Sequence, residues 1–263
     1  RTAITESLLA KLPKLKVISQ TGRGIPHVDV AACTRHKIPV LVGGGSPFST
    51  AELTWALVLA ATRHIPQEVA NLKAGRWQRK FGIGLHGRTL GIFSYGNIGK
   101  LVANYGRAFG MNVLIWGREG SQERARADGY DTVTNQRELF ERSDVLSLHV
   151  KLTPETRGIV TQADLMAMKP TALIVNTSRA DLIAPGALVT ALQAGRPGYA
   201  AVDVYESEPV IDHPLLQMEN VVATPHIGYV EKDSYEAYFG AAFDGLVAFV
   251  NGSPKNVINP EVL

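Results

Sequence analysis

The sequence predicts an α/β fold, a doubly wound parallel sheet, and three observations lead to that prediction. Short apolar runs alternate with amphipathic stretches along most of the 263 residues. Several runs are apolar at consecutive positions, which is typical of strands that helices cover on both faces. Regular alternation of strand and helix also favours right-handed βαβ units over hairpins. A parallel sheet between two layers of helices follows from this pattern.

The apolar runs give the predicted strands, which are VISQT (17–21), IPVLVG (38–43), TLGIFSY (89–95), NVLIWG (112–117), VLSLHV (145–150), ALIVNTS (172–178), YAAVDV (199–204) and NVVATP (220–225). Helices are expected between them at residues 98–110, 135–144, 161–169 and 185–195, with longer helices at 49–65 and 234–252. Several helix starts have the spacing of an N-terminal capping pair: Ser49 with Glu52, Asn135 with Glu138, and Thr161 with Asp164.

The chain is long enough for two lobes, each with its own core. The glycine run GGGSP (43–47) is typical of a hinge, and a second crossing is expected near residues 228–232. We therefore predict a smaller lobe at residues 1–47, a larger domain at 48–228, and a C-terminal helix at 229–263 that returns to the smaller lobe. The chain begins inside an amphipathic pattern and without methionine, so we expect an N-terminal truncation.

Composition excludes several classes of function. The formal charge is only +3 and the basic residues are scattered, whereas a nucleic-acid partner requires a basic stripe or block. No apolar run reaches the length that crosses a membrane. Cys33 is the only cysteine, so no intrachain disulfide forms, as is typical of a reducing cytoplasm. The histidines lack metal-ligand spacing, and no metal is expected.

The stretch SYGNIG (94–99) differs in one residue from the G-x-G-x-x-G turn that binds dinucleotides. It directly follows a predicted strand and opens a predicted helix, which is the context that the turn requires. Gly96 lets the backbone approach a pyrophosphate, and Gly99 allows the helix to pack closely on the strand. Ser94 stands in the first glycine position, which a small residue such as serine can occupy if its dihedral angles are negative. The stretch predicts a dinucleotide cofactor.

The residues after the next strand bear on which dinucleotide binds. An acid that accepts the ribose hydroxyl usually stands there, but this sequence has Gly117 followed by Arg118. An arginine pairs with a ribose 2′-phosphate, and a missing carboxylate removes the repulsion against it. These residues favour NADP over NAD. The alternative is that Arg118 faces solvent while Glu119 takes the place of the acid.

Four polar residues follow neighbouring strands of the predicted sheet: Arg179, Asp203, Glu208 and His226. Ligands of open α/β sheets bind beyond the carboxyl ends of the strands, so we expect these side chains to meet there. Arginine holds a carboxylate and polarises a carbonyl oxygen, and histidine exchanges a proton near neutral pH. A carboxylate next to the histidine fixes its tautomer. The set predicts acid–base chemistry on a small anionic substrate.

Five strings of this sequence, in order, resemble the D-isomer-specific 2-hydroxyacid dehydrogenases: TLGIFSYGNIG (89–99), LTPETRG (152–158), NTSRAD (176–181), DVYESEP (203–209) and TPHIG (224–228). The resemblance implies a Rossmann-type dinucleotide-binding domain and a smaller, flavodoxin-like substrate lobe whose first part is missing here. It also implies hydride transfer between C4 of NAD or NADP and C2 of a 2-oxo or D-2-hydroxy acid.

The resemblance assigns roles to individual residues. It implies Arg179 as the substrate-binding arginine, His226 as the acid and base, and Glu208 as the partner of His226. The residues implied at the cofactor are Gly96, Asn97, Ile98, Gly99, Arg118, Thr177, Asp203 and Gly228. The stretch TGRG (21–24) is similar to the loop whose backbone N–H groups bind the substrate carboxylate, which implies Gly22, Arg23 and Gly24 as substrate-binding residues. We also expect a cytoplasmic homodimer.

The sequence leaves other functions open. A formate dehydrogenase has glutamine as the partner of the histidine, so Glu208 argues against that activity. A cation in the TGRG loop matters for phosphite oxidation, and Arg23 keeps that reaction open. A non-catalytic NAD(H) sensor, like the transcriptional corepressors with this fold, retains the same three residues. The identity of the 2-oxo acid also stays open. Arg23 stands where the family usually has an apolar residue, and His27 stands where it usually has asparagine.

Overall fold

The structure is a computed structural model that describes residues 2–263, and their contacts divide them into two units. The larger unit is Pro47–Gly228, and the smaller unit consists of residues 2–46 together with Tyr229–Leu263. Each unit has its own hydrophobic core. Within the described residues, no helix is long and apolar enough to cross a membrane.

The strands are β1 (Ile18–Gln20), β2 (Val40–Val42), β3 (Thr89–Phe93), β4 (Asn112–Trp116), β5 (Asp131–Thr132), β6 (Val145–Leu148), β7 (Leu173–Asn176), β8 (Tyr199–Val202) and β9 (Val221–Ala223). The α-helices are α1 (Glu6–Leu9), α2 (Val30–Arg35), α3 (Pro47–Thr62), α4 (Ile65–Lys73), α5 (Asn97–Ala108), α6 (Glu119–Ala127), α7 (Gln136–Arg142), α8 (Gln162–Ala167), α9 (Ala187–Gln193) and α10 (Lys232–Val250). Short 3₁₀ helices lie at Ala180–Leu182, Pro214–Gln217 and Pro260–Val262.

A seven-stranded sheet organises the larger unit, in the order β5-β4-β3-β6-β7-β8-β9. Every pair of neighbouring strands is parallel. The chain winds outward from β3 in one direction through β4 and β5, and in the other from β6 to β9. The strand order therefore reverses between β3 and β6, which makes a crevice at their carboxyl ends. The predicted doubly wound fold is confirmed.

The central strands are apolar at most positions because both faces of the sheet are covered. All residues of β6 and β7 are buried. Successive side chains of a strand point to opposite faces, so Leu146 and Ile174 join one core cluster while Val145 and Val175 join the other. The first cluster lies against α7, α8 and α9, and the second against α3 and α5. Burial on both faces explains the continuous apolar runs.

The smaller unit has β1 and β2 as a parallel pair, on which α10 packs. Its core contains the buried side chains of Leu9, Ala32, Cys33 and Val40. The C-terminal segment is fastened to this unit by Asn259, whose buried amide accepts from the Val40 N–H at 2.8 Å and donates to the Ile38 carbonyl at 3.0 Å.

Two helix starts agree with the predicted capping pairs, and one does not. Thr161 and Asp164 form a complete capping box at α8. Asn135 caps α7 by accepting from the Glu138 N–H at 2.9 Å. The predicted pair of Ser49 with Glu52 is wrong, since α3 already begins at Pro47. Proline suits the first turn of a helix because it has no N–H to leave unpaired. The Ser49 hydroxyl does not cap the helix but donates to the Gly228 carbonyl at 2.9 Å.

Candidate active site

The turn between β3 and α5 has a free surface where the motif requires one. Gly96 precedes the helix in extended backbone, and a Cβ built on it would have no atom within 4 Å. A Cβ on Gly99 would overlap the Ser94 carbonyl oxygen, so only glycine lets α5 approach the strand this closely. Open space beside the N-terminus of a twelve-residue helix suits an anionic phosphate group. The turn therefore fits the pyrophosphate of a dinucleotide.

Ser94 does not have the negative dihedral angles that the prediction for this position required. Its φ is +79°, in the left-handed region that glycine populates most readily. The first position of the turn thus keeps the backbone conformation of the usual glycine, although its side chain has changed. The Ser94 N–H donates to the Trp116 carbonyl at 2.7 Å, which ties the turn to the end of β4.

Tyr95 anchors the turn to the neighbouring helices. Its ring is buried, and its hydroxyl donates to Asp128 at 2.8 Å, where Lys100 also pairs at 2.8 Å. Burial raises the pKa of Tyr95, and the bonds from Lys100 and Tyr95 lower the pKa of Asp128. The Tyr95 N–H donates to the Ser121 hydroxyl at 2.6 Å. The turn is therefore held by both α5 and α6.

The carboxyl ends of β8 and β9 bring a histidine and a carboxylate together. Nδ1 of His226 lies 2.6 Å from Oε2 of Glu208, and about a third of each side chain is exposed. The other oxygen of Glu208 accepts from the Tyr205 N–H at 3.1 Å. A carboxylate held by the backbone fixes which ring nitrogen of His226 carries its proton. This geometry suits general acid–base chemistry at Nε2.

The His226 loop is fastened to the sheet by Asp203. This buried carboxylate accepts from the Thr224 hydroxyl at 2.6 Å and from the Ile227 and Gly228 N–H groups at 2.8 Å each. A Cβ on Gly228 would lie 3.1 Å from Asp203 Oδ2. Since His226 itself has φ of +52°, these bonds hold a turn that the backbone does not favour.

Comparison with known proteins identifies this arrangement. The model of the D-isomer specific 2-hydroxyacid dehydrogenases, NAD binding domain, matches residues 55–228. The chain belongs to this family. The predicted family and its NAD(H)-binding domain are therefore confirmed.

Individual relatives agree with the family. D-3-phosphoglycerate dehydrogenase of Methanocaldococcus jannaschii is 40% identical over 98% of this chain and 50% of its own length. Glyoxylate reductase of Aeropyrum pernix is 37% identical over 97% of this chain and 80% of its own length. A crystal structure of phosphoglycerate oxidoreductase from Vibrio cholerae superposes with a TM-score of 0.91, at 52% identity over 95% of this chain and 82% of that one. The chain thus spans half the length of the first relative.

In this dehydrogenase domain, Arg179 follows β7 and is exposed. Its guanidinium donates to the Ser178 carbonyl at 2.6 Å. Its own carbonyl accepts from the buried amide of Asn176 at 2.9 Å, so the loop leaving β7 is anchored to the sheet. Thr177 is buried, and its hydroxyl contacts that of Thr54 at 2.7 Å.

Five other predicted residues lie at two places. Asn97 is exposed as the first residue of α5, and Ile98 packs on the core beneath it. Gly22, Arg23 and Gly24 lie in the smaller unit, in the loop that follows β1. Within residues 2–263, no cluster of three or more His, Cys, Asp or Glu side chains is arranged to hold a metal ion.

The segment after β4 contains a helix and polar contacts that the sequence did not predict. Arg118 is exposed and precedes the first residue of α6, a helix that the prediction missed. Glu119 pairs with Arg126 at 2.5 Å. Arg124, one turn into α6, donates to the Tyr95 carbonyl at 3.4 Å. Ser121 and Arg124 lie in no motif, and only a predicted helix at 119–127 would have drawn attention to them. Asn176 opens the stretch NTSRAD, but the sequence analysis assigned it no role.

Proposed function

We propose that the protein containing this chain reduces a 2-oxo acid to a D-2-hydroxy acid with a nicotinamide cofactor, or catalyses the reverse oxidation. The observation that carries the proposal is the 2.6 Å pair of His226 with Glu208 at the sheet edge that also presents the glycine turn. Residues 48–228 are the dinucleotide-binding domain in this proposal. Residues 1–47 with 229–263 contribute the substrate lobe.

Each side chain has a distinct part in the proposed reduction. The bound nicotinamide supplies a hydride to C2 of the substrate. Arg179 binds the carboxylate and polarises the C2 carbonyl, since a guanidinium offers paired donors. His226 gives a proton from Nε2 to the carbonyl oxygen, and Glu208 at Nδ1 stabilises the charged ring before transfer. Asp203 keeps the His226 loop in place and would stand near the amide of a bound nicotinamide.

The test is turnover of a panel of 2-oxo acids by the unmutated protein and by His226→Ala. Removing a general acid lowers kcat roughly 100-fold or more. His36→Ala is a matched control, because His36 pairs with Glu6 at 2.5 Å and is about as exposed as His226, 30% against 31%. Unchanged kcat in His226→Ala would contradict the assignment.

The same panel separates the alternative functions. A protein that only senses NAD(H) binds the cofactor but turns over no 2-oxo acid. Arg23 in the loop at 21–24 keeps phosphite oxidation open as an alternative. A phosphite dehydrogenase turns over phosphite instead of a 2-oxo acid. Turnover of glyoxylate or hydroxypyruvate with a strict requirement for His226 supports the dehydrogenase.

NADP is the proposed cofactor within the NAD-binding family. Gly117 has no carboxylate that would repel a 2′-phosphate, and Arg118 at the start of α6 offers a cation to it. Arg124 adds a second positive charge to the same helix. Glu119, which would repel the phosphate, is instead paired with Arg126.

A homodimer is the proposed assembly, in the cytoplasm. The segment that includes and follows α4 exposes large apolar side chains in an otherwise polar stretch, namely Leu72, Trp77 and Phe81, which are 60%, 73% and 98% exposed. Large apolar side chains exposed together in one segment are typical of an interaction site. A second copy of the chain supplies the same segment, as two-fold symmetry requires.

A further inference from the structure

Two loops of the smaller unit lie against each other. Because β1 and β2 are parallel neighbours, the loops that follow them, residues 21–24 and 43–46, leave the same edge of the pair. The Gly43 N–H donates to the Gln20 carbonyl at 2.8 Å. A Cβ on Gly43 would overlap the Thr21 carbonyl oxygen. The two loops are thus in direct backbone contact.

Tyr238 of α10 packs on both loops. Its Cε1 lies 3.5 Å from the position that a Cβ on Gly22 would take. A Cβ on Gly45 would lie 2.6 Å from Cζ and 2.7 Å from Cε1 of the same ring. The half-buried ring therefore occupies the space that a side chain would fill at position 45, and it lies in van der Waals contact with position 22. Tyr229 packs edge-on against it, with ring centroids 6.4 Å apart.

We infer that Tyr238 is a positioning residue for the loop at 21–24 and thereby sets the affinity for the substrate carboxylate. The inference rests on the proposed function, which gives the backbone N–H groups of this loop to the substrate. Glycines at 22 and 24 leave the loop many backbone conformations, and β1 anchors it by only three residues. An aromatic ring on the nineteen-residue α10 is the rigid surface that selects one of them. Small errors in the placement of binding groups have large effects on rate.

The experiment compares Tyr238→Ala, Tyr238→Phe and Phe243→Ala in the whole protein. Phe243 is a matched control because it is an aromatic residue on the same helix and 64% exposed. In Tyr238→Ala we expect KM for the 2-oxo acid to rise roughly tenfold, because misplaced donors bind less well. KM for NADPH should stay unchanged, and Tyr238→Phe should restore the substrate KM because it keeps the ring. Phe243→Ala should change neither constant.

A double-mutant cycle tests the contact itself. Gly45→Ala clashes with the ring in the unmutated protein and should raise the substrate KM. In the Tyr238→Ala background the clash is gone, so the second change should add little, and the two effects should be non-additive. Additive effects, or an unchanged substrate KM in Tyr238→Ala, would overturn the inference.

Hydrogen exchange of the loop amides separates this inference from the proposed function. Exchange in peptides covering residues 17–24 should accelerate in Tyr238→Ala and not in Phe243→Ala, whether or not the protein turns over a 2-oxo acid. Absence of turnover in the unmutated protein would refute the proposed function alone. Unchanged exchange in Tyr238→Ala would refute the positioning role alone.

Discussion

At the scale of single residues, the unusual backbone conformations lie where the site needs them. Ser94 and His226 both have positive φ, at +79° and +52°. Serine and histidine adopt this conformation only when their surroundings hold it. For His226 the surrounding bonds come from Asp203 to the next two N–H groups. For Ser94 they come from the end of β4 and from the close approach of Gly99.

Ser94→Gly should stabilise the protein. The left-handed conformation costs a non-glycine residue about 1–2 kcal/mol, and glycine loses roughly 0.5–1 kcal/mol of that gain through its more flexible unfolded state. We therefore expect the free energy of unfolding to rise by about 1 kcal/mol in urea titrations. Equal or lower stability would show that the hydroxyl forms compensating interactions.

His149 should make stability depend on pH. It lies directly after β6, its Nε2 is 2.9 Å from the Ser147 hydroxyl, and burial lowers its pKa to about 3. Below pH 6.5 the unfolded chain takes up a proton that the folded chain does not. The free energy of unfolding should therefore fall with decreasing pH between 6.5 and about 3, by up to about 1.4 kcal/mol per pH unit.

The measurement is the difference between the unmutated protein and His149→Gln across this range, since glutamine does not titrate. The two stability curves should converge as the pH falls. Parallel curves would mean that water reaches the His149 ring and that its pKa is not lowered.

At the scale of elements, a helix that the sequence did not predict, α6, positions Arg118 in the proposed cofactor site. α6 has the sequence EGSQERARA, in which polar residues dominate and no apolar stripe is visible. Its buried residues are small or polar, Ser121, Gln122 and Ala125, because they pack beneath the glycine turn. The amide of Gln122 donates to the Gly117 carbonyl at 2.9 Å. The helix start thereby fixes the position of Arg118.

Arg118→Ala should abolish most of the preference for NADPH over NADH. A charge-assisted bond contributes roughly 1.5–3 kcal/mol, which corresponds to a preference of about ten- to a hundredfold in kcat/KM. NADH turnover should be unaffected. Arg137→Ala on α7 is the control, because Arg137 pairs with Glu141 of the same helix at 2.7 Å. Equal activity with both cofactors in the unmutated protein would show that Arg118 faces solvent.

At the scale of the whole molecule, the exposed apolar side chains bear on how the chain assembles. Phe81 is almost fully exposed, although burying such a ring stabilises a protein by about 1.5–3 kcal/mol. In a two-fold dimer each substitution occurs twice. Phe81→Ser should therefore weaken the dimer by roughly 3–6 kcal/mol, or about two to four orders of magnitude in Kd.

Sedimentation velocity over a range of concentrations measures this effect. Ile211→Ser is the matched control, because Ile211 is 91% exposed and lies outside the proposed interface segment. The unmutated protein and the control should sediment as dimers where Phe81→Ser sediments as a monomer. A monomeric unmutated protein would contradict the proposed assembly.

The sequence alone determined the parallel α/β fold, the cofactor turn and the chemical types at the strand ends. These follow from local physics: apolar runs report burial on both faces, Thr161 and Asp164 satisfy a helix start within four residues, and Gly99 reports a close approach of α5. The sequence did not predict the short β5 or the polar α6, because neither has an apolar period. Both are held in place by neighbouring elements.

Only the tertiary structure decided how the site is held. The bonds from Asp203 to the His226 loop, from Ser121 to Tyr95, and the packing of Tyr238 on Gly45 join residues that are distant in sequence. The positive φ of Ser94 belongs to the same group, since the strand and helix around it impose the conformation. Local pattern reports which face of an element is buried. Contacts between elements depend on how those faces pack in three dimensions, and no sequence period encodes that packing.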